Sequence, residues 1–588
     1  MKSLVEILTG AVGDAFEKAG YDRNLGKVNV SNRPDLCEYQ CNGAMAAAKV
    51  YKKAPIQIAQ SVVDVLKDSD VFGMVDCVAP GFINLKVSDK ALFDYIDEIA
   101  KDPKFGLSKP EKIKKIMIDY GGPNVAKPLH VGHLRSAIIG ESIKRICRFA
   151  GHEVIGDVHL GDWGLQMGLV ILGLQEEKPD LVYFDDSYTG DYPAEAPFTI
   201  GELENIYPAA SKKSKEDEAF KERAMEATKK FQTGVRGYRA LGQQIINVSV
   251  PDLKKNYANI NVSFDLWKGE SDVQDRIPGM VSYMKDNGFA YLSDGALVVD
   301  VKEDKDTKEM PPCMILKSDG AALYNTTDLA TILDRMETYN PDEIIYLTDK
   351  RQSLYFEQVF RCARKTKLVN EDTKLVWIGF GTMNGKDGKP FKTRDGGVMR
   401  LENLVADTKS EMLKKIKEGN RLPDEEALKV ADIVAVSALK YGDLSNQASK
   451  DYIFDLDRFT SFEGDTGPYI LYTMVRIKSI MAKYDQSGKN SFEAKLKVPV
   501  TETEKQLMLL LAAFNTMMEG AVNELAPHRV CAYIYDVANA FNRFYHETRI
   551  LNEEDEDKKE GLIAVLGLTL KILETCIDVL GFEAPDRM

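Results

Sequence analysis

No run in the 588 residues comes near the ~18 consecutive apolar positions that a membrane helix requires. The first residues, MKSLVEILTGAVGDAFEKAG, carry acidic groups and no long apolar stretch, so they read as an amphipathic helix and not as a signal peptide. The eight cysteines are scattered. Only Cys37 and Cys41 fall close together, at i and i+4, with no further ligands at matching spacing. A metal site is therefore not expected, and free thiols in a reducing cytoplasm are. Basic charge is also lacking. A net charge of −14 argues against a generally basic nucleic-acid binder. It leaves room for local basic surfaces, and 386–394 is one candidate, with four basic residues and one acidic. No internal repeat is present. What remains is an ordinary apolar fraction of 44% in a chain long enough for roughly three to four domains.

Residues 1–108 pattern as a small α/β module, with a helix over 55–66 and a strand over 82–87. A polar, proline-bearing stretch at 101–112 suits a linker. Apolar runs at 115–120 and 153–160 flank a helical pattern from His130 to about Ala150. This β-α-β order predicts a parallel, doubly wound sheet, with further strands at 343–348 and 374–379. Residues 171–260 interrupt the rhythm with charged, largely helical sequence and read as an insertion. From Pro423 the pattern is almost wholly helical, at 427–441, 467–484, 503–524, 526–548 and 558–580, which predicts a terminal bundle. Residues 553–560 suit a solvated loop.

The densest chemical signal is PNVAKPLHVGHLRS at 123–136, between a strand and a helix. His130 and His133 are three apart and share one face of the first helical turn. Gly132 lets a ligand approach the backbone. A helix N-terminus adds free N–H groups and a positive dipole, so the segment can hold a phosphate with two imidazole donors. Two histidines at this spacing are more often a surface or metal-adjacent pair, and it is the place of the tetrapeptide after a strand and at a helix start that favours nucleotide binding. Tyr324 and Asp328, four apart on a helical pattern over 323–337, share a face and on their own read as a surface pair.

His130-Val131-Gly132-His133 resembles the first signature of class I aminoacyl-tRNA synthetases. The longer string DYGGPNVAKPLHVGHLRS at 119–136, with HLGDWG at 159–164, is similar to the arginyl members in particular, and the resemblance runs to the ending PDRM at 585–588. It implies an arginine–tRNA ligase that uses ATP with Mg2+, arginine and tRNA(Arg), holds no tightly bound cofactor, and works in the cytoplasm as a monomer off the membrane. The fold class implied is α/β: a doubly wound parallel-sheet (Rossmann-like) catalytic domain over 109–455 with the insertion near 171–260, an N-terminal small α/β domain over 1–108 that contacts the tRNA D-loop, and a C-terminal all-α anticodon-binding bundle over 456–588.

The resemblance assigns His130, Gly132 and His133 to ATP. It assigns Asn124, Tyr324, Asp328 and Gln352 to arginine. The chemistry suits a guanidinium, a planar fork of five donors that a carboxylate can meet with two bonds at once. The family's second signature, Lys-Met-Ser-Lys-Ser, is replaced here by GKPFKTRDG at 388–396, which by itself reads as a solvated glycine-rich loop. Lys389 and Lys392 align with its two lysines, and Lys127 matches the lysine that degenerate members use in compensation. Phe82 and Asn84 match D-loop contacts. Tyr469, Tyr472, Tyr545 and Met588 match the anticodon pocket, although the tyrosines read equally well as bundle core. The resemblance further implies that adenylate formation needs bound tRNA. Two rivals remain: another class I synthetase, and a non-catalytic tRNA-binding relative.

Overall fold

The expected strands pair in one sheet, in the spatial order Lys374–Phe380, Glu343–Asp349, Lys115–Asp119, Glu153–Asp157, every pair parallel. The structure, a computed structural model, describes residues 1–389, 399–419 and 422–588. Both inner strands, Lys115–Asp119 and Glu343–Asp349, are apolar and largely buried, as a sheet covered on both faces requires. Helix Val131–Ala150 follows the first strand and lies close on it: a Cβ at Gly140 would stand 2.3 Å from the Tyr120 ring, so only glycine fits there. Helices Tyr324–Tyr339 and Ser353–Lys365 share a core with the strand residues Met117 and Ile344.

The chain divides into two compact units. One, Glu111–Ser461 with Leu580–Phe582, holds this sheet. Its helical interruption comprises Leu165–Glu177, Ile200–Glu216, Glu218–Gln232 and Arg236–Ala258. Their buried faces enclose Val125 and Ala126 from the signature loop. A small antiparallel sheet, Tyr291–Ser293, Ala296–Val299 and Cys313–Leu316, follows; its strands are too short for a period-2 pattern to show. Helix Asp424–Leu444 also belongs here, and its buried Asp443 receives Arg135 of the signature helix at 2.9 Å. Arg135 further donates to the carbonyls of Gly381 and Lys450.

The other unit joins Met1–Pro110 to Phe462–Val579 and Glu583–Met588. Its first part is a four-stranded antiparallel sheet, ordered Val28–Val30, Tyr39–Cys41, Phe82–Val87, Phe72–Val78, with helices. Helix Leu4–Lys18 starts at a reciprocal Ser3–Glu6 capping box, and Pro55 opens helix Pro55–Leu66 at a position where its missing N–H is not needed. The bundle helices are Gly467–Asp485, Glu502–Ala512, Phe514–Asn523, Pro527–Glu547 and Glu556–Leu580. Lys505 ties the two parts together, reaching Glu38 at 3.1 Å, Asp89 at 3.0 Å and the Val87 carbonyl at 2.7 Å.

Two sequence expectations are corrected. The single helix over 503–524 is broken at Ala513, next to a buried Asn515 that donates to the Tyr95 hydroxyl and the Gly106 carbonyl. The loop over 553–560 already turns helical at Glu556, because Asp555 accepts from the N–H groups of Asp557 and Lys558 and the acidic run suits the positive helix end.

Candidate active site and RNA-facing surface

Chain order reverses between the strands Lys115–Asp119 and Glu343–Asp349, and in open α/β sheets ligands bind beyond the carboxyl ends of the strands at that point. The signature loop leaves the sheet there. Asn124 bridges to Gly161, and a Cβ at Gly161 would stand 2.0 Å from Asn124 Oδ1, so HLGDWG needs its glycine to admit the asparagine. Ala126, with φ +59, donates to Ser249 Oγ at 2.9 Å, which pins the loop to the helical interruption.

His130 caps helix Val131–Ala150. Its Nδ1 accepts from the Gly132 N–H at 3.1 Å, while His133 Nδ1 accepts from the His130 N–H at 3.1 Å. The rings lie 4.0 Å apart at 36°. A backbone N–H can only donate, so both Nδ1 atoms carry lone pairs and both protons sit on Nε2. Burial, with the charge of Lys127 alongside, pushes His130 down to about 4. Burial, with His130 and Lys127, pushes His133 down to about 3. The pair is thus neutral at physiological pH and offers two Nε2–H donors. Gly132 has a further role: a Cβ there would meet the His130 ring at 2.8 Å. Lys127 is half-buried, burial lowers its pKa, and among the described residues no carboxylate pairs with it. Among the described residues it is a cation without an anion, beside two neutral donors.

Of the second loop, Lys389 is exposed in a turn closed by the Gly385 N–H on its carbonyl at 2.8 Å. Lys392 lies outside the described residues. The chain returns beside the signature: Val131 N–H donates to Met399 and Leu401 N–H to Leu129, and His130 bridges Arg400.

Tyr324 opens helix Tyr324–Tyr339 and is 66% exposed. Asp328, one turn on, is half-buried. Its Oδ2 accepts from the Tyr355 hydroxyl, and its Oδ1 stands 3.9 Å from His159 Nε2. Burial pushes its carboxyl above the usual range, with His159 and Tyr355 pulling it back. Two turns further, buried Arg335 donates to Asp119 at 2.6 Å and Asp157 at 2.8 Å, locking the helix to the ends of two adjacent strands. Gln352 is exposed in the turn after strand Glu343–Asp349. The sequence reading missed Glu270, which burial pushes up to about 7 against the pull of His159, with Asp162 and Asp328 raising it further. It also missed His159 itself, whose φ of +41 is a strained value for a non-glycine residue and whose Nδ1 is buried without a partner. His159 lay in the quoted HLGDWG string; Glu270 carries no local signal.

In the other unit, Tyr469, Tyr472 and Tyr545 share one surface of helices Gly467–Asp485 and Pro527–Glu547. Tyr469 is half-buried, donating to Asn539 at 2.8 Å and accepting from Asn542 at 2.9 Å. Tyr472 and Tyr545 are 41% and 37% exposed. The Arg476 guanidinium lies over both rings, at 4.9 Å and 5.3 Å. The tail before Met588 is tied to the same helix by Lys478, which donates to the Pro585 carbonyl at 3.3 Å. Phe82 is half-buried. Asn84 is 6% exposed and accepts from Gln40 at 2.9 Å.

A doubly wound parallel sheet with an imidazole pair at the helix beyond its first strand, on a chain that also carries a helical bundle, defines a class I aminoacyl-tRNA synthetase. Residues 97–456 match the model described as tRNA synthetases class I (R), catalytic domain, residues 470–588 the DALR anticodon binding domain, and residues 3–87 the arginyl tRNA synthetase N terminal domain. An arginine–tRNA ligase of Agathobacter rectalis is 62% identical over 100% of both chains, and that of Alkaliphilus oremlandii 56% identical over 100% of both. The fold matches solved arginyl-tRNA synthetases of Plasmodium falciparum (TM-score 0.80, 22% identity, 100% of both chains) and Thermus thermophilus (TM-score 0.78, 22% identity, 100% of both chains). The chain belongs to the arginine–tRNA ligase family. Both rival readings of the sequence fall with that match.

Proposed function

We propose that the residues gathered at the switch point carry out arginine activation and transfer as follows. Asn124 and Gln352 hold the α-amino and carboxylate end of arginine. Asp328 and Tyr324, joined by Glu270, take its guanidinium. The arginine carboxylate attacks the α-phosphorus of ATP, pyrophosphate leaves, and the terminal ribose hydroxyl of tRNA(Arg) then attacks the adenylate carbonyl and releases AMP. Mg2+ enters with ATP as part of the substrate. His130 and His133 donate from Nε2 to the phosphates, and Lys127, with Lys389 and Lys392 from the second loop, balances their charge. The observation that carries this reading is the pair of capped, neutral imidazoles beside a lysine that no carboxylate among the described residues pairs with. The experiment is pyrophosphate exchange with arginine and ATP, with and without tRNA(Arg). Lys127→Ala should lose rate in this exchange with arginine KM little changed and thermal unfolding unmoved. Wild-type exchange in that variant would end the compensation role.

In the same reading, 1–108 contacts the D-loop through Phe82 and Asn84, 456–588 takes the anticodon, and Met588 completes that pocket. The protein acts as a monomer in the cytoplasm. All eight cysteines are free, and no helix among the described residues is long and apolar enough to cross a membrane. Stripping the ring from Tyr472 or Tyr545 should weaken tRNA use by ~1–3 kcal/mol per lost stack, read as tRNA KM in charging assays. Unchanged tRNA affinity and charging in both variants would leave these rings as packing for Arg476.

A further inference from the structure

The carboxylate that faces arginine does not set its own plane. The final torsion of an aspartate is broad and roughly two-fold, so a free carboxylate presents its lone pairs in many directions. Asp328 is held from outside: the Tyr355 hydroxyl donates to Oδ2, and His159 flanks Oδ1 at 3.9 Å. Tyr355 comes from helix Ser353–Lys365, one turn after Gln352. It is half-buried, while the same helix buries Phe356, Val359, Cys362 and Ala363. Its ring meets Phe356 edge-on at 5.2 Å, which aims the hydroxyl across to the neighbouring helix. The single phenolic proton is thus spent on Asp328.

We propose that Tyr355 is a positioning residue for arginine selection, its hydroxyl setting the plane in which Asp328 receives the guanidinium. The proposal rests on the reading that Asp328 holds arginine. A carboxylate has about four lone-pair sites, of which a planar fork needs two in one plane. Tyr355 takes another and leaves the fork-facing pair oriented. A lysine-like ammonium is a point charge with no plane to match, so the device favours arginine over lysine.

Tyr355→Phe removes only the oxygen. In tRNA-dependent pyrophosphate exchange with the full chain, arginine KM should rise about tenfold, the effect of one hydrogen bond to a charged group. ATP KM and the thermal midpoint should stay near wild type, and inhibition by lysine should weaken less than arginine KM rises. The part of the acid limb of arginine KM that Asp328→Ala abolishes should move to higher pH, since Asp328 loses a donor while its other charged or titratable neighbours stay: His159, Glu270, Asp119, Arg335, Tyr346 and Cys313. An unchanged arginine KM, or arginine and ATP KM rising together with a lowered midpoint, overturns the role. Asp328→Ala run in parallel separates the two claims. Wild-type arginine kinetics there overturn the pocket reading and the Tyr355 role with it, whereas a loss there beside a silent Tyr355→Phe overturns the Tyr355 role alone.

Discussion

Asp328→Ala is expected to lower kcat/KM for arginine by roughly 3–5 kcal/mol of transition-state binding, with ATP KM unchanged. The size follows from what is left behind: a guanidinium, unable to shed its charge, facing one fewer carboxylate. The loss is not total because Glu270 stays. In the arginine-free enzyme burial holds Asp328 above its ordinary range and Glu270 up at about 7, and the pull of His159 on both falls short of what a directly paired cation would give. Arginine supplies that cation. Above about pH 7 Glu270 is ionised and gains from the guanidinium; below that it is protonated and gains little. Arginine binding should therefore strengthen as pH rises through about 7, and this rise should persist in Asp328→Ala, because it belongs to Glu270. Steady-state exchange against arginine, repeated across pH, measures both. Unchanged arginine kinetics in the variant would remove Asp328 from the pocket.

How far this site was legible depends on how local its parts are. The histidine pair and its cap lie within four consecutive residues, and the strand before and helix after them have strong periods, so their place at the sheet's edge could be read from the string alone. The doubly wound sheet was legible for the same reason: Ile344, Ile345 and Leu347 are buried inside a run of seven. The environment of Asp328 was not. His159, Glu270, Arg335 and Tyr355 reach it from a strand end, a short turn, its own helix and another helix, across up to 196 positions between His159 and Tyr355. Nothing in the local pattern of Glu270 distinguishes it from any acidic residue at the start of a turn. Its neighbours supply the distinction: Glu270 N–H donates to the Leu160 carbonyl at 3.0 Å and Leu160 N–H to Lys268 at 2.7 Å, which lays this turn along HLGDWG.

The same distance in sequence explains Arg335. Periodicity marks it only as one position on a helix, yet the structure shows it buried against Asp119 and Asp157, which are register partners on adjacent strands. Two carboxylates side by side at buried strand ends repel, and a single guanidinium removes that penalty while it fixes the rotation of the helix. Asp328 stands seven residues before Arg335, two turns along one face, so its approach to the crevice is set by the same contact. The break at Ala513 has a similar origin. A helical period runs unbroken through 503–524, and the departure belongs to Asn515, whose partners Tyr95 and Gly106 lie over 400 positions away.

Replacing His133 by Ala should reduce tRNA-dependent pyrophosphate exchange by about 10²–10³, the usual loss when one preorganised donor to a developing oxyanion is removed. His130→Ala should act in the same direction, and the double variant should fall short of the product of the two, because each imidazole accepts a backbone N–H on their shared helical turn. The acid side of the rate profile offers a sharper test. Rings that held phosphate as imidazolium with an ordinary pKa would lose rate as pH rises through about 6.5. These rings are held neutral, at about 4 and about 3, so the wild-type rate at saturating arginine should stay level from pH 7 to about pH 5.5 as far as the histidines are concerned. Stability carries the opposite sign of evidence. A histidine depressed in the folded state binds its proton only on unfolding, so its contribution is whole above pH 6.5 and drains away as pH falls from there toward 4 and 3. The wild-type thermal midpoint should therefore drop between pH 7 and pH 5 by more than that of a His130→Asn, His133→Asn double variant, whose amides cap the same turn without titrating. An equal drop in both proteins, or a rate that falls as pH rises through about 6.5 in the wild type and not in the Asn variants, would mean that the rings are not held neutral and hold phosphate as cations.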